Sequence, residues 1–246
     1  MSIVKFQWQD YRYFPYERDL AIREIRHLTG RDPIDAGDGL LVELPDECKA
    51  AALRTTYFSQ IIDEYGSISV PLQARLEESD NVTSKVNGKK TIRRQSTRYS
   101  AHGLHEYKGK FNPQIVRAIG NLLGARLNDW IFDPFCGSGT TLLEAAHNNW
   151  NAIGVDRNPL AIEIANAKIA CMHLPVVQLE RETQHILGTL SAAMRNINHD
   201  RAFSNSEIAR LVGNDWSAQL PHYEYLANWF SESALVQLVL IARELR

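Results

Sequence analysis

Asp133 and Asp156 stand 23 residues apart, each at the end of a short apolar run, and a turn of small residues, Pro134-Phe135-Cys136-Gly137-Ser138-Gly139-Thr140, follows the first of them. The run ahead of Asp133, the glycine turn, and the spacing of Leu142, Leu143, Ala145 and Ala146 read as strand, turn and helix, the start of a doubly wound α/β unit. Gly137 and Gly139 allow the backbone to turn tightly and approach a ligand, and the helix start after them offers free N–H groups to a negative group. Asn151–Val155 is a second buried-strand pattern, and the acid at its tip, Asp156, is placed to accept hydrogen bonds from both hydroxyls of a ribose. A dinucleotide requires three spaced glycines for its pyrophosphate. Two glycines behind an Asp-Pro, with a carboxylate and an aromatic at the strand tip, suit an adenosine that carries a charged amino-acid tail.

The elements that must hold these residues follow from hydrophobic spacing. Asn112 as cap, Pro113 in the first turn, Ile115, Ile119, Leu122 and Leu123 on one face, and Gly124 as stop predict an amphipathic helix leading into the first strand. Asn158 and Pro159 open another helix after Asp156. Ile3–Trp8 alternates like a strand, 17–30 has helical spacing with Gly30 as stop, Gly39–Leu44 is a further strand, and 46–66 is expected to form a second helix ending at Gly66. This makes residues 1–79 a small α/β unit with no recognisable chemistry. Residues 80–98 are polar and basic and are expected to be a linker, with 99–246 as the second part, helical from about 171.

The formal charge of −2 hides an asymmetry. Between Lys85 and Arg117 nine Lys or Arg face one acid, Glu106, a local charge of +8. Such a block is the footprint of a phosphate-rich partner, because cationic side chains near phosphates release condensed counterions. Lys89, Lys90, Arg93, Arg94 and Arg98 are the expected nucleic-acid contacts. The three cysteines are far apart, without paired spacing or a histidine partner, so reduced thiols and no structural metal are expected. No long apolar run and no secretory leader pattern occur, which points to a cytoplasmic protein without a membrane partner.

Residues 133–145, DPFCGSGTTLLEA, together with GVDRNPLA at 154–161, closely resemble the S-adenosylmethionine-binding motif of the amino-methyltransferases that modify exocyclic amines of DNA bases. The stretch HGLHEYKGKFNPQIVRAI, 102–119, is similar to the motif those enzymes place before the first strand, around the methionine end of the cofactor. The resemblance covers about 99–170 and implies a Rossmann-like methyltransferase fold that binds S-adenosyl-L-methionine and acts on DNA. It assigns Asp133, Phe135, Gly137, Ser138, Gly139 and Thr140 to the methionine and ribose side of the cofactor, Asp156 to the ribose hydroxyls, and Lys110 with Phe111 to the methionine tail. His102 and His105 are read as positioning or structural residues, since methyl transfer from a sulfonium to an amine needs neither a strong base nor a metal.

The same family holds its target amine with a (D/N/S)PP(Y/F/W) motif, and among the nine prolines of this chain no two are adjacent. No catalytic residue is therefore assigned. Only two strands of the expected sheet are legible, so the sheet is expected to be incomplete, with the remaining strands and the catalytic motif supplied by a second polypeptide or lost. Transfer-RNA guanosine amino-methyltransferases share a similar glycine motif and stand as an alternative, as does a non-catalytic cofactor-binding or DNA-binding subunit.

Overall fold

The computed structural model describes residues 1–78, 95–194, 205–219 and 223–244. Lys85, Lys89, Lys90, Arg93 and Arg94 lie outside the described residues. The chain forms two compact units, Met1–His173 and Leu174–Arg246. The ranges 1–78 and 99–173 belong to the same unit.

The first unit begins with an antiparallel sheet. Strand β1 (Ser2–Trp8) is central and turns alternate residues, Val4 and Phe6, into the core. Helix α1 (Pro15–Thr29) begins with Pro15 in its first turn, and Glu17 accepts a hydrogen bond from the Phe14 N–H at 2.7 Å. It ends at Gly30, whose φ of +67° favours glycine. Short β2 (Ile34–Asp35) and β3 (Gly39–Leu44) come next, then α2 (Lys49–Ala52), β4 (Phe58–Ile62), β5 (Ile68–Ser69) and α3 (Leu72–Glu78). The sheet order is β2-β3-β1-β4-β5, with Phe6 opposite Leu40 on one side and Ile61 on the other. Ala21 and Ile25 of α1 pack with Phe6, Val42, Tyr57 and Phe58; each large side chain fully removed from water contributes about 1.5–3 kcal/mol.

The single helix expected over 46–66 is not what forms. A 3-10 turn (Asp46–Cys48) and α2 end at Leu53, and Phe58–Ile62 is a strand paired with β1. The β-branched and aromatic run Thr55-Thr56-Tyr57-Phe58 favours extended backbone, and the buried Glu24 of α1 accepts both the Thr56 N–H at 2.9 Å and its hydroxyl at 2.6 Å.

Helix α4 (Pro113–Leu122) joins this layer to a second, parallel sheet. Its polar residues Gln114, Arg117 and Asn121 are fully buried, whereas Ile119 and Leu123 are exposed. Asn121 donates to Glu24 at 2.6 Å, and Ala118 sits in the core beneath α1. On another side Gly120 meets the indole of Trp150, where a Cβ would come within 2.2 Å of the ring. The chain then runs through β6 (Trp130–Asp133), α5 (Thr140–His147), β7 (Asn151–Gly154) and α6 (Pro159–His173). β6 and β7 are parallel, Trp130 opposite Asn151 and Asp133 opposite Gly154, and form a two-stranded sheet among the described residues. The architecture of this unit is mixed α/β.

The second unit is helical in its described residues: α7 (Val176–Met194), α8 (Asn205–Val212), α9 (Tyr223–Leu226) and α10 (Glu232–Glu244). Ile208, Val212 and Trp216 pack with Leu235, Val236 and Val239 as a separate core. No described helix is long and apolar enough to cross a membrane.

Candidate functional site

Parallel strands that end together leave a crevice at their carboxyl ends, and the crossover from β6 to β7 through α5 places Asp133 and Asp156 there. The turn between β6 and α5 is held by both carboxylates. Asp133 accepts the Phe135 N–H at 3.0 Å and the Thr141 hydroxyl. Asp156 accepts the Gly137 N–H at 2.9 Å with one oxygen and the Asn158 N–H at 2.8 Å with the other. Cys136 N–H donates to the Val155 carbonyl at 3.0 Å, which draws the turn across the tip of β7. Gly137 (φ +49°) and Gly139 (φ +84°) supply the left-handed backbone. A Cβ on Gly139 would also meet the Ala165 Cβ of α6 at 2.9 Å, so glycine there serves both the turn and the helix contact.

Neither aspartate forms an ion pair with a described Lys, Arg or His. Two neighbouring carboxylates compensated only by N–H and O–H donors form a local negative field that favours hydroxyl donors and a cation. That donor and acceptor set fits an adenosine ribose and a positively charged sulfonium with an ammonium tail.

The structure separates the sequence-assigned residues. Phe111, Asp133 and Phe135 border one open cleft of about 820 Å³ that runs between α4 and β6. Phe135 is 84% exposed at its mouth. Gly137 and Asp156 are joined by their hydrogen bond, while Ser138 and Thr140 are buried under the turn. Lys110 is held elsewhere: its ammonium donates to the carbonyls of Thr97 at 2.9 Å and His102 at 3.1 Å, pinning the 97–102 backbone. Burial, together with Arg98 nearby, lowers its pKa. Arg98 pairs with Glu106 at 2.8 Å on the surface, an interaction worth about 0–1 kcal/mol that leaves it able to exchange partners. His105 lies on a smaller hollow with Arg98, Tyr107 and Lys108.

Several contributors were not visible in the sequence. Thr141, one residue beyond the assigned Thr140, is the one that reaches Asp133. Tyr107 lies against Gly137 and reaches Asn158 at 3.4 Å, so the segment before α4 touches the turn. Lys168 of α6 is 2% exposed with its ammonium 3.5 Å from the Ser138 hydroxyl. Burial, then Lys110, lowers its pKa. The spacing of Lys168 from Asp156 offered no signal for this, because it depends on how α6 packs over the glycine turn.

Behind the turn lies a buried polar cluster. Glu144 of α5 accepts the Tyr99 hydroxyl at 2.6 Å, His102 Nε2 at 3.0 Å and Arg117 Nε at 3.0 Å. Arg117 Nη2 is also 3.0 Å from this carboxylate but is poorly aligned for a hydrogen bond. Burial alone raises the Glu144 pKa, yet Arg117 and the His102 and Tyr99 donors outweigh it and hold it down to about 2. An ionised Glu144 only accepts, so His102 donates from Nε2, and burial keeps that imidazole neutral by lowering its pKa. His102, Glu144 and His147 bring potential ligand atoms within 4.8 Å of one another. Arg117 already supplies the compensating charge, so the cluster is a hydrogen-bonded ion pair that ties 99–103 and α4 to the helix following the glycine turn. Arg117 belongs here and not to the phosphate-facing block in which its charge was counted.

The sequence model of a family described as DNA methylase matches residues 52–167. The Type II methyltransferase M.MjaII of Methanocaldococcus jannaschii is 46% identical over 70 residues, 28% of this chain and 13% of that protein. The Type II methyltransferase M.MvaI of Kocuria varians is 26% identical over 148 residues, 59% of this chain and 29% of its own length. The tRNA (guanine(10)-N2)-dimethyltransferase of Methanothermobacter thermautotrophicus is 40% identical over 50 residues, 20% of this chain and 15% of its own. The chain thus spans less than a third of the length of each of these relatives.

Proposed function

We propose that this chain, whose residues 52–167 match the sequence model of a family described as DNA methylase, is the S-adenosyl-L-methionine-binding part of a site-specific methyltransferase that acts on the exocyclic amine of adenine or cytosine in DNA. The observation that carries the reading is the pair Asp133 and Asp156 at the tips of adjacent parallel strands, bridged by the glycine turn and without a basic partner among the described residues. The cofactor, when bound, supplies a methyl group on a sulfonium. Asp156 takes the ribose hydroxyls with lone pairs left over from the Gly137 and Asn158 N–H groups. Asp133 faces the positive end, and Phe135 and Phe111 cover its apolar part at the mouth of the cleft. Ser138, Gly139 and Thr140 shape the turn from beneath, and Lys110 fixes the segment on which Phe111 stands. The site residues act by orientation, and no general base is required of them.

The amine that receives the methyl is weakly nucleophilic because its lone pair is delocalised into the base. Hydrogen-bond acceptors for its protons and an aromatic surface for a base turned out of the duplex are needed. Residues 1–246 have no adjacent prolines to form the family's motif for this, so these groups are supplied from outside residues 1–246. Lys89, Lys90, Arg93, Arg94 and Arg98 contribute phosphate contacts, which lose strength as salt rises.

The match to the tRNA dimethyltransferase favours a second reading, in which the acceptor is a guanosine amine of tRNA. Calorimetric titration with S-adenosylhomocysteine tests the shared premise. Wild type binds it, and Asp156→Ala, which removes two charged hydrogen bonds to the ribose, weakens binding by about 100-fold. Equal affinity in the variant would reject the site. Transfer of labelled methyl to duplex DNA or to tRNA, with the polypeptide of any adjoining reading frame co-expressed, separates the two substrates. Cofactor binding with transfer to neither would identify a non-catalytic subunit.

A further inference from the structure

Lys168 of α6 is a buried cation without an anion among the described residues. It is 2% exposed, and its ammonium, which has three hydrogens to donate, finds one described acceptor, the Ser138 hydroxyl oxygen at 3.5 Å, a long contact with an uncharged group. No described carboxylate forms an ion pair with it. Glu144, the buried acid of α5, accepts from Arg117, His102 and Tyr99. Asp133 and Asp156 accept from N–H and O–H groups of the turn and its flanks. The neighbouring Lys110 brings a second positive charge, which with burial makes the Lys168 ammonium easier to deprotonate. Withdrawing an ammonium from water without an opposite charge destabilises a fold, and an apolar side chain of similar volume is normally tolerated better. The charge of Lys168 is therefore balanced only when an anion is brought to the glycine turn.

We infer that Lys168 is a positioning residue for the carboxylate end of the cofactor's amino-acid tail, acting through Ser138 and the glycine turn, an assignment that rests on the proposed methyltransferase function. Opposite charges bear on consecutive residues of the turn: the Asp156 carboxylate holds the Gly137 N–H at 2.9 Å, and the Lys168 ammonium meets the hydroxyl of Ser138, the next residue. A group carrying an ammonium and a carboxylate on one carbon matches such a turn. A phosphate, with charge of one sign, would meet Asp133 and Asp156 as repulsion. Because the ammonium is buried, water screens its field weakly, and it acts across the turn without touching the ligand. Ser138 accepts from Lys168 and keeps its own hydroxyl hydrogen to donate, so the two act as one polarised pair. Lys110, the cation expected at this end from the sequence, is occupied by the carbonyls of Thr97 and His102.

The test is calorimetric titration of the full chain with two ligands, S-adenosylhomocysteine and its decarboxylated analogue, in which an aminopropyl group replaces the homocysteine tail so that adenosine, sulfur and amine remain and the carboxylate is gone. Wild type prefers the first by about tenfold or more, the strength of a charge-assisted contact. Lys168→Met, which removes the charge and keeps the apolar stem, binds the two within about threefold of each other, the loss falling on S-adenosylhomocysteine alone. Its thermal midpoint equals or exceeds that of wild type, since an uncompensated buried charge has gone. Ser138→Ala narrows the same preference, and the double variant loses no more of it than Lys168→Met, as expected of two residues that act as a unit. The Ser138 variant also decides the question should Lys168→Met fail to fold. Loss of both ligands by the same factor, or the wild-type preference retained in the variants, would overturn the inference and leave the proposed cofactor site standing. A wild-type chain that binds neither ligand would overturn both.

Discussion

At the scale of single residues, the cluster around Glu144 carries a consequence that can be measured in acid. Its carboxyl is fully buried and titrates near 2, below the usual 4.5. A folded-state value below the unfolded one gives stability that is present above the unfolded pKa and lost as pH falls from about 4.5 toward 2; the size is on the order of 3 kcal/mol. Glu24 has the opposite sign, since burial raises its pKa despite the Thr56 and Asn121 donors, so its contribution declines as pH rises through the raised value. Arg117→Met leaves Glu144 buried without its cation and is expected to cost about 3–5 kcal/mol at neutral pH. The same change flattens the acid limb of the stability profile. Urea unfolding followed at several pH values between neutrality and 3 checks both, and an unchanged acid slope in the variant would show that Arg117 does not hold the Glu144 proton off. The sequence registered Arg117 only as one more positive charge, because charge counting is blind to which cations the fold takes inside.

At the scale of elements, the strand–turn–helix around Gly137 and Gly139 was legible because its signals are local: an apolar run, two glycines, then helical spacing. The amphipathic pattern of α4 was legible too, but not the direction in which its faces point. That was decided by Glu24 and Glu144, which draw Asn121 and Arg117 inward from distant parts of the chain. The segment 46–66 failed for a related reason: Lys49–Leu53 has good local helix formers, while β4 owes its form to pairing with β1 some fifty positions away. Gly120 shows how much packing can override propensity. Alanine in a helix interior normally gains about 0.5–1 kcal/mol over glycine. Here its methyl would meet Trp150 Cζ3 and Cη2 at 2.6 and 2.2 Å. Gly120→Ala is therefore expected to destabilise by about 1–3 kcal/mol, with a change in tryptophan fluorescence as the ring shifts. A gain in thermal midpoint would mean that α4 does not press on Trp150 in this way.

At the scale of the whole chain, the division into two compact units separates roles that the sequence placed in one stretch from 99 to 246. Both sheets, the two strand-tip carboxylates, the glycine turn and the α4 cleft lie within Met1–His173. The helical unit from Leu174 has its own core of Ile208, Trp216, Leu235 and Val239. The break was hard to see because Leu174-Pro175 interrupts one helical pattern only to begin another, with neither a charge run nor a glycine cluster to mark it. The hydrogen bonds that hold Asp133, Gly137 and Asp156 lie within Met1–His173, so a chain ending at His173 should fold and retain its affinity for S-adenosylhomocysteine within about threefold, a difference under 1 kcal/mol. Transfer of methyl groups to duplex DNA, with the polypeptide of any adjoining reading frame co-expressed, is the quantity on which the two lengths can differ. Equal transfer by both would assign Leu174–Arg246 no part in the chemistry. Equal cofactor affinity with transfer lost would place its contribution at the nucleic acid. A large loss of cofactor affinity in the shorter chain would show that the strand tips and the glycine turn do not form the pocket by themselves.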